Sequence, residues 1–196
     1  MSESALPASH PIGLIVTDDL KRSRLTVFFR LLLAIPHFIW LELWSIAVVF
    51  AIFFAWIAGV VTDRIPAGLH SFIASYLRYM THVSAYLLLL ADPFPPFSGS
   101  ASYPVDLRVD DDPGQSRLSV FFRVLLAIPA FVLAYVFRLV NEIVALLGWF
   151  YAIFTGRMNR GMRDLSAWLL RYEIQTYAYV YLVTGRYPSL AGAPTV

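Results

Sequence analysis

A stretch that occurs twice constrains the fold of this chain more than any other feature of the sequence. Residues 24–36 read RLTVFFRLLLAIP, and residues 117–129 read RLSVFFRVLLAIP, 93 positions later. The same offset aligns residues 10–99 with residues 103–192 without a gap. Such self-similarity predicts one structural unit used twice. We therefore predict a tail at 1–9, a first unit at 10–99, a linker at 100–102, a second unit at 103–192 and a tail at 193–196.

The apolar content of the chain is typical of membrane proteins. Hydrophobic residues make up 59% of the chain and charged residues 14%, whereas about 25% is usual in soluble domains. A small soluble core cannot bury this excess, so we predict an integral membrane protein. The net charge of +2 is too small to indicate a nucleic-acid partner. The chain has no cysteine, which excludes disulfides and thiolate chemistry, and its first twenty residues do not resemble a signal peptide.

Each unit begins with a candidate strand. In the second unit Val105, Leu107 and Val109 alternate with polar residues, which is the period of a half-buried strand. The equivalent segment of the first unit is residues 10–16. We predict two short strands outside the membrane, and pairing between them would satisfy their backbone groups. Extended linkers are the alternative.

The duplicated stretch predicts an amphipathic helix at the membrane interface. Leu25, Phe28 and Leu32 share one helical face, and the arginine at position 30 lies on another. We expect Arg30 and its repeat equivalent, Arg123, to point toward lipid headgroups. A continuous helix to residue 61 would be about 55 Å long, which exceeds a hydrocarbon core of about 30 Å.

We therefore predict a break or bend near Pro36 and near Pro129, because proline removes a helical hydrogen bond. The alternative is that the stretch forms the first turns of a long, tilted span.

Two membrane helices are predicted to follow in each unit. Residues 43–62 are uncharged, whereas the equivalent segment contains Arg138 and Glu142. These two residues are four positions apart, so we predict an intramembrane charge pair. The second helices are predicted at 69–91 and 162–184, each after a polar hairpin. An even number of spans per unit would give both units the same orientation and put both termini on one side.

The predicted fold class is an all-α integral membrane protein with two tandem homologous units. Each unit would contain a short extramembrane strand, an amphipathic interfacial helix and a two-helix membrane hairpin. In this topology Lys21 and Arg117 lie on the terminal side, and Arg64 and Arg157 lie on the hairpin side. Lysine and arginine are more numerous on the terminal side, which favours cytoplasmic termini in a multi-pass protein of the bacterial inner (plasma) membrane.

Several motifs resemble one known family. They are Leu-Leu-Ala-Ile-Pro-His37, Thr-Gly-Arg157, Leu-Arg-Tyr79, Ala-Tyr-Leu-Leu-Leu-Leu90 and Asp-Pro-Phe-Pro-Pro-Phe97. In this order they resemble the prokaryotic membrane domain of unknown function 4389, present once per unit. The first unit departs from the pattern at Asp63 and the second at Gly185. The resemblance implies a bacterial or archaeal membrane protein and implies no activity.

A polar stripe on the second helix is the main candidate site. Arg78, His82 and Tyr86 share one face in the first unit, and Arg171, Gln175 and Tyr179 are their equivalents in the second. We expect Glu42 or Glu173 to pair with Arg78. The functional interpretation is contact with an anion or a lipid headgroup. The alternative is that the arginines satisfy backbone carbonyls and fix helix packing, or that they reach the membrane interface from a tilted helix.

No catalytic motif accompanies this stripe. The four histidines have no metal-ligand spacing, and the chain contains no Gly-x-Ser-x-Gly or phosphate-loop pattern, so we predict neither an enzyme nor a bound metal or cofactor. The first hypothesis is a scaffold that binds membrane lipids, a second copy of itself or another membrane protein. The second is a channel or transporter subunit in which Arg78, Arg171 and Arg138 line a wet cavity. The third is an intramembrane enzyme using Glu42, Glu142 and His82.

Overall fold

The computed structural model describes residues 10–99, 103–110, 115–192 and 194. In chain order the elements are β1 (Ile12–Val16), α1 (Arg24–Thr62), α2 (Ala67–Leu87), β2 (Val105–Val109), α3 (Arg117–Phe121), α4 (Arg123–Thr155) and α5 (Arg160–Val180). Each repeat therefore supplies one strand, one long helical segment and one shorter helix. The predicted tail at 1–9, the linker at 100–102 and most of the tail at 193–196 lie outside the described residues.

The two predicted strands exist and pair with each other. β1 and β2 are antiparallel, with Ile12 opposite Val109 and Leu14 opposite Leu107. Five of the six inward-facing side chains of the two strands are buried in the main hydrophobic core, and the sixth, Val109, is partly buried against it. Leu14 and Leu107 occupy equivalent positions of the two repeats and face each other. A pseudo-two-fold axis that exchanges the repeats therefore passes through this pair.

The long helix of the first repeat is continuous, so of the predicted break or bend near Pro36 a break is excluded. α1 has 39 residues, with Pro36 inside it, and is about 58 Å long. Pro129 likewise lies inside α4, and the interruption in the second repeat falls at Phe122. Proline removes one hydrogen bond and displaces the carbonyl of the preceding turn. Both prolines lie on exposed sides of their helices, where this displacement disturbs no packed neighbour.

The long helices of the two repeats are antiparallel. The indole N–H of Trp149 donates to the carbonyl of Val27 at 2.9 Å, and that of Trp56 donates to the carbonyl of Val120 at 3.2 Å. These two bonds are equivalent under the repeat. Gly59 permits close approach here, because an added Cβ would lie 3.1 Å from Val120. The start of α1 thus contacts the end of α4, and the end of α1 contacts α3.

Backbone bonds also join segments that the sequence-based topology placed on opposite sides of a membrane. The N–H of Arg22 donates to the carbonyl of Gly156 at 2.9 Å, and the N–H of Met158 donates to that of Leu20 at 2.8 Å. At the other end of α1, Asp63 forms a 3.0 Å ion pair with Arg117. The assignment of a terminal side and a separate hairpin side is therefore wrong.

The shorter helices occupy the interior. α2 packs against α1 and β2, α5 packs against α4 and β1, and the two shorter helices also contact each other. Buried residues lie on every side of the C-terminal half of α2 and along most of α5. α2 and α5 are thus enclosed between the sheet and the long helices, which explains why their charged residues meet protein groups.

Arg30 and Arg123 hold the C-terminal ends of α2 and α5. The guanidinium of Arg30 donates to the carbonyls of Tyr86 and Ala91, forms a 3.0 Å bond with Asp92, and lies 4.4 Å from the centre of the Tyr86 ring. Cations are favourable at this end of a helix, where carbonyls lack intrahelical partners.

The second repeat reproduces the arrangement. Arg123 donates to the carbonyls of Tyr179 (2.9 Å) and Thr184 (2.8 Å) and lies 4.2 Å from the centre of the Tyr179 ring. Both arginines are 2% exposed. Their predicted orientation toward lipid headgroups is therefore wrong, because the carbonyls at the ends of α2 and α5 lie within reach and draw the cations inward.

We expect Arg30→Met to lower the free energy of unfolding by about 3–5 kcal/mol, because it leaves buried carbonyls and Asp92 without their partner. Thermal unfolding followed by circular dichroism in detergent measures this loss. The matched control is Arg24→Met in the exposed first turn of the same helix, which should change stability by less than about 0.5 kcal/mol. Equal effects of the two substitutions would contradict the role assigned to Arg30.

Candidate functional site

The polar stripe of α2 is bound to β2. The Nε atom of Arg78 lies 3.2 Å from Oδ1 of Asp106, and an Nη2 proton is donated to the carbonyl of Leu107 at 3.2 Å. Nε2 of His82 lies 2.9 Å from the same Asp106 oxygen. The predicted partners of Arg78, Glu42 and Glu173, are therefore wrong. The sequence-based topology missed Asp106 because it placed the strands away from the middle of the helix.

The equivalent stripe of α5 also contacts backbone. Arg171 donates to the carbonyls of Ser189, Leu190 and Ala191 at 2.9–3.3 Å. The Gln175 amide donates to the carbonyl of Ile12 in β1 at 2.9 Å, and its oxygen accepts from the N–H of Ser189 at 3.0 Å. The stripe of the first repeat therefore holds β2 against α2. The stripe of the second repeat holds β1 and the C-terminal segment against α5. Tyr86 and Tyr179 complete it by presenting ring faces to the buried arginines.

The carboxylate of Asp106 is the electrostatic centre of the first stripe. Burial tends to raise its pKa, but hydrogen bonds from His82 and from the N–H of Leu107, together with the charge of Arg78, outweigh burial and lower the pKa below its ordinary value. Asp106 is thus ionised at neutral pH. Its contribution to stability is present above the ordinary aspartate pKa and is lost as the pH falls through the lowered pKa.

The predicted pairing of Arg138 with Glu142 on α4 is confirmed, and its intramembrane position stays a prediction. Nε of Arg138 lies 3.2 Å from Oε1 of Glu142 one turn later, and Nη1 of Arg138 lies 3.9 Å from a carboxylate oxygen of Glu173 on α5. The side chains of Arg138 and Glu142 are each 57% exposed, whereas that of Glu173 is 15% exposed. One cation therefore stands between two carboxylates.

These charges line a cleft between the four longest helices. Its volume is about 280 Å³. The lining residues are Phe38 and Leu41 of α1; Met80, Val83, Ser84 and Leu87 of α2, with Leu88 after it; Arg138, Asn141 and Glu142 of α4; and Glu173, Ile174 and Tyr177 of α5. Asn141 is held by Ser166, whose hydroxyl donates to its side-chain oxygen. With an excess of carboxylates over cations, the cleft suits a cationic or hydrogen-bond-donating group better than an anion.

Both repeats line the cleft, but its charged residues belong only to the second repeat. The positions equivalent to Arg138, Glu142 and Glu173 are Ser45, Val49 and Met80. Since both repeats adopt the same fold, these charges are not needed to build it. This asymmetry makes the cleft the best candidate for a binding site.

Two other hypotheses receive no support from these contacts. Arg78 and Arg171 donate to protein groups, and neither is among the residues that line the cleft beside Arg138, so these contacts give no support to one wet cavity lined by all three arginines. His82 is bound to Asp106 and Glu142 to Arg138, and no described contact joins His82 to Glu142 as an acid–base pair. Among the described residues there is also no group of three or more histidine, aspartate or glutamate side chains that could hold a metal ion.

The described part of the chain contains two helices that are long and apolar enough to cross a membrane. They are α1 and α4, and in each the most apolar window is only 22% buried within the protein. The shorter helices, α2 and α5, do not meet this criterion. Of the four membrane helices that the sequence analysis predicted, the two within α1 and α4 thus meet this criterion.

A family model described as a domain of unknown function (DUF4389) matches residues 24–99 and, a second time, residues 117–191. The two matches agree with the two repeats and with the resemblance noted in the sequence. No curated protein and no solved structure matches the chain.

We expect Asp106→Asn to lower the free energy of unfolding by about 1–3 kcal/mol at pH 7, because it weakens the bonds that Asp106 accepts from Arg78 and His82. The deficit should begin to shrink below about pH 4, where Asp106 of the unfolded chain takes up a proton, and should disappear as the pH falls through the lowered pKa of the folded protein. Thermal unfolding at several pH values tests both statements. The control is Asp110→Asn, whose half-exposed ion pair with Arg108 should contribute less than about 1 kcal/mol. A deficit that does not change with pH would contradict the electrostatic role.

Proposed function

The chain belongs to the family of the domain of unknown function DUF4389, and from its own surface we propose that it is a non-enzymatic protein held in a lipid bilayer by α1 and α4. In this role it serves as a scaffold that binds lipid or a membrane partner. We place it in the plasma membrane of a prokaryotic cell.

The exposed apolar faces of α1 and α4 carry this proposal. Along α1 the outward residues Leu32, Leu43, Phe50 and Val61 are 57–65% exposed, and α4 presents a comparable face that ends at Phe154. Soluble monomers rarely expose a contiguous apolar patch of more than a few hundred Å². Burial of such a surface in hydrocarbon is favourable by about 25 cal/mol for each Å² removed from water.

Lipid fits this surface better than a single protein partner. Exposed apolar residues occupy more than half of the circumference of α1, so one flat partner surface would leave much of the helix in water. Exposed arginines stand near the helix ends: Arg24 begins α1, Arg117 begins α3, and Arg64 and Arg157 follow the ends of α1 and α4. Cations in these positions suit the anionic headgroups that border the hydrocarbon.

The alternative, a channel or transporter subunit, has weaker support. Its remaining basis is the cleft beside Arg138, since Arg78 and Arg171 are occupied by β2 and by the C-terminal segment. Within the scaffold proposal the same cleft is a place for the polar group of a lipid or of a partner helix.

Membrane fractionation tests the proposal. We expect the wild-type protein to stay in the membrane pellet after an alkaline carbonate wash. The triple variant Ile46→Lys, Phe50→Lys, Phe53→Lys should be released, because each lysine in hydrocarbon costs about 2.5–3.5 kcal/mol. The control, Ser98→Lys, places a lysine at an exposed polar position and should stay in the pellet. Wild-type protein in the wash supernatant would overturn the proposal.

A further inference from the structure

We infer that α1 and α4 lie in the plane of one leaflet and do not cross the bilayer. The occupant of their exposed faces would be the acyl chains of that leaflet, with the sheet and all four helix ends on the same side. This inference rests on the bilayer association proposed above and adds its geometry.

The path of the chain between the repeats argues against crossing. Asp92 lies at the start of α1, where it accepts a 3.1 Å bond from the N–H of Ser23 and pairs with Arg30. Arg117 lies at the other end of α1, paired with Asp63. If α1 crossed the bilayer, the chain from Asp92 to Arg117 would have to cross it as well.

That connecting segment is unsuited to hydrocarbon. Its described residues, 92–99, 103–110 and 115–117, contain β2 and no complete helix, and they include Asp106, Arg108 and Asp110. A two-stranded sheet has open edges whose backbone groups would find no partner in lipid. Each such group costs several kcal/mol, so this segment must stay at or outside the headgroup region.

Two further features disfavour a crossing helix. Exposed apolar residues run from Leu25 to Val61, and a helix of this length would have to tilt by about 60° to keep them within a core of about 30 Å. Observed tilts reach about 40°. Crossing would also bring the half-exposed Arg138 and Glu142, near the middle of α4, to the centre of the bilayer, where charge is least favourable.

The pseudo-two-fold axis that relates the repeats is compatible with placement of α1 and α4 in the plane of one leaflet. The axis through Leu14 and Leu107 exchanges two antiparallel long helices. When this axis stands along the membrane normal, α1 and α4 lie at equal depth and parallel to the surface. The exposed arginines at their ends then reach the headgroups of one leaflet, and the sheet lies away from the hydrocarbon.

Cysteine labelling tests the placement directly, because the natural chain contains no cysteine. Single variants Asp19→Cys and Arg64→Cys mark the two ends of α1, and Leu43→Cys marks its exposed middle. The probe is a membrane-impermeant maleimide applied to right-side-out and to inverted vesicles of cells that produce the protein. We expect Asp19→Cys and Arg64→Cys to react from the same side, and Leu43→Cys to react only after detergent is added.

Reaction of Asp19→Cys and Arg64→Cys from opposite sides, with the protein still in the carbonate pellet, would overturn the in-plane placement and leave the bilayer association intact. Reaction of Leu43→Cys without detergent, with the protein in the supernatant, would overturn both.

Depth measurement provides an independent readout. Bimane attached to Leu32→Cys, Leu43→Cys and Val61→Cys is exposed to lipids brominated at different depths in phosphatidylethanolamine and phosphatidylglycerol vesicles. Equal quenching profiles are expected for an in-plane helix. A helix along the membrane normal would change depth by about 15 Å for every ten residues, and profiles that shift in this way would overturn the inference.

Discussion

The antiparallel pairing of β1 with β2 is the interaction on which the arrangement of the two repeats depends. Each strand begins its repeat, and Leu14 stands opposite its own equivalent, Leu107. This register relates the repeats by a two-fold axis and makes their long helices antiparallel. It also brings the indole of Trp149 to the carbonyl of Val27 and, equivalently, the indole of Trp56 to that of Val120. A shifted register would separate both pairs at once.

The burial of Arg30 and Arg123 depends on the same arrangement. The two repeats use different residues to complete the hydrogen bonds around these arginines. In the first repeat Arg30 pairs with Asp92, and Arg22 donates to the carbonyl of Leu89. In the second repeat glycine replaces the aspartate and Gln115 replaces Arg22. The amide of Gln115 donates to the carbonyl of Leu182, as Arg22 donates to Leu89 in the first repeat. The side-chain oxygen of Gln115 accepts from Arg123, as Asp92 accepts from Arg30. The pattern is retained because the unpaired carbonyls after α2 and α5 need donors in either repeat.

The position of the sheet distinguishes this architecture from a bundle of transmembrane hairpins. In such a bundle, the loops of one side and the termini of the other are separated by the hydrocarbon. Here the hairpin at Gly156 is bonded to the segment at Arg22, and Asp63 is paired with Arg117. The long apolar helices therefore form one face of the protein, and the strands belong to the opposite part. The cleft beside Arg138 lies between the four longest helices, and its charges are the main departure from symmetry.

The amino-acid sequence was enough to predict the duplication, the resemblance to the family, two short strands and the pair of Arg138 with Glu142. These features depend on repeat spacing, alternation and helical periodicity, which are local properties of the chain. The folded structure was needed to show that Arg30 and Arg123 turn inward, that Asp106 is the partner of Arg78, and that α1 continues through Pro36. Periodicity identifies which residues share a face but not which element covers that face, and hydropathy measures how apolar a helix is but not its direction relative to its neighbours. Those choices depend on the antiparallel register of two strands far apart in sequence.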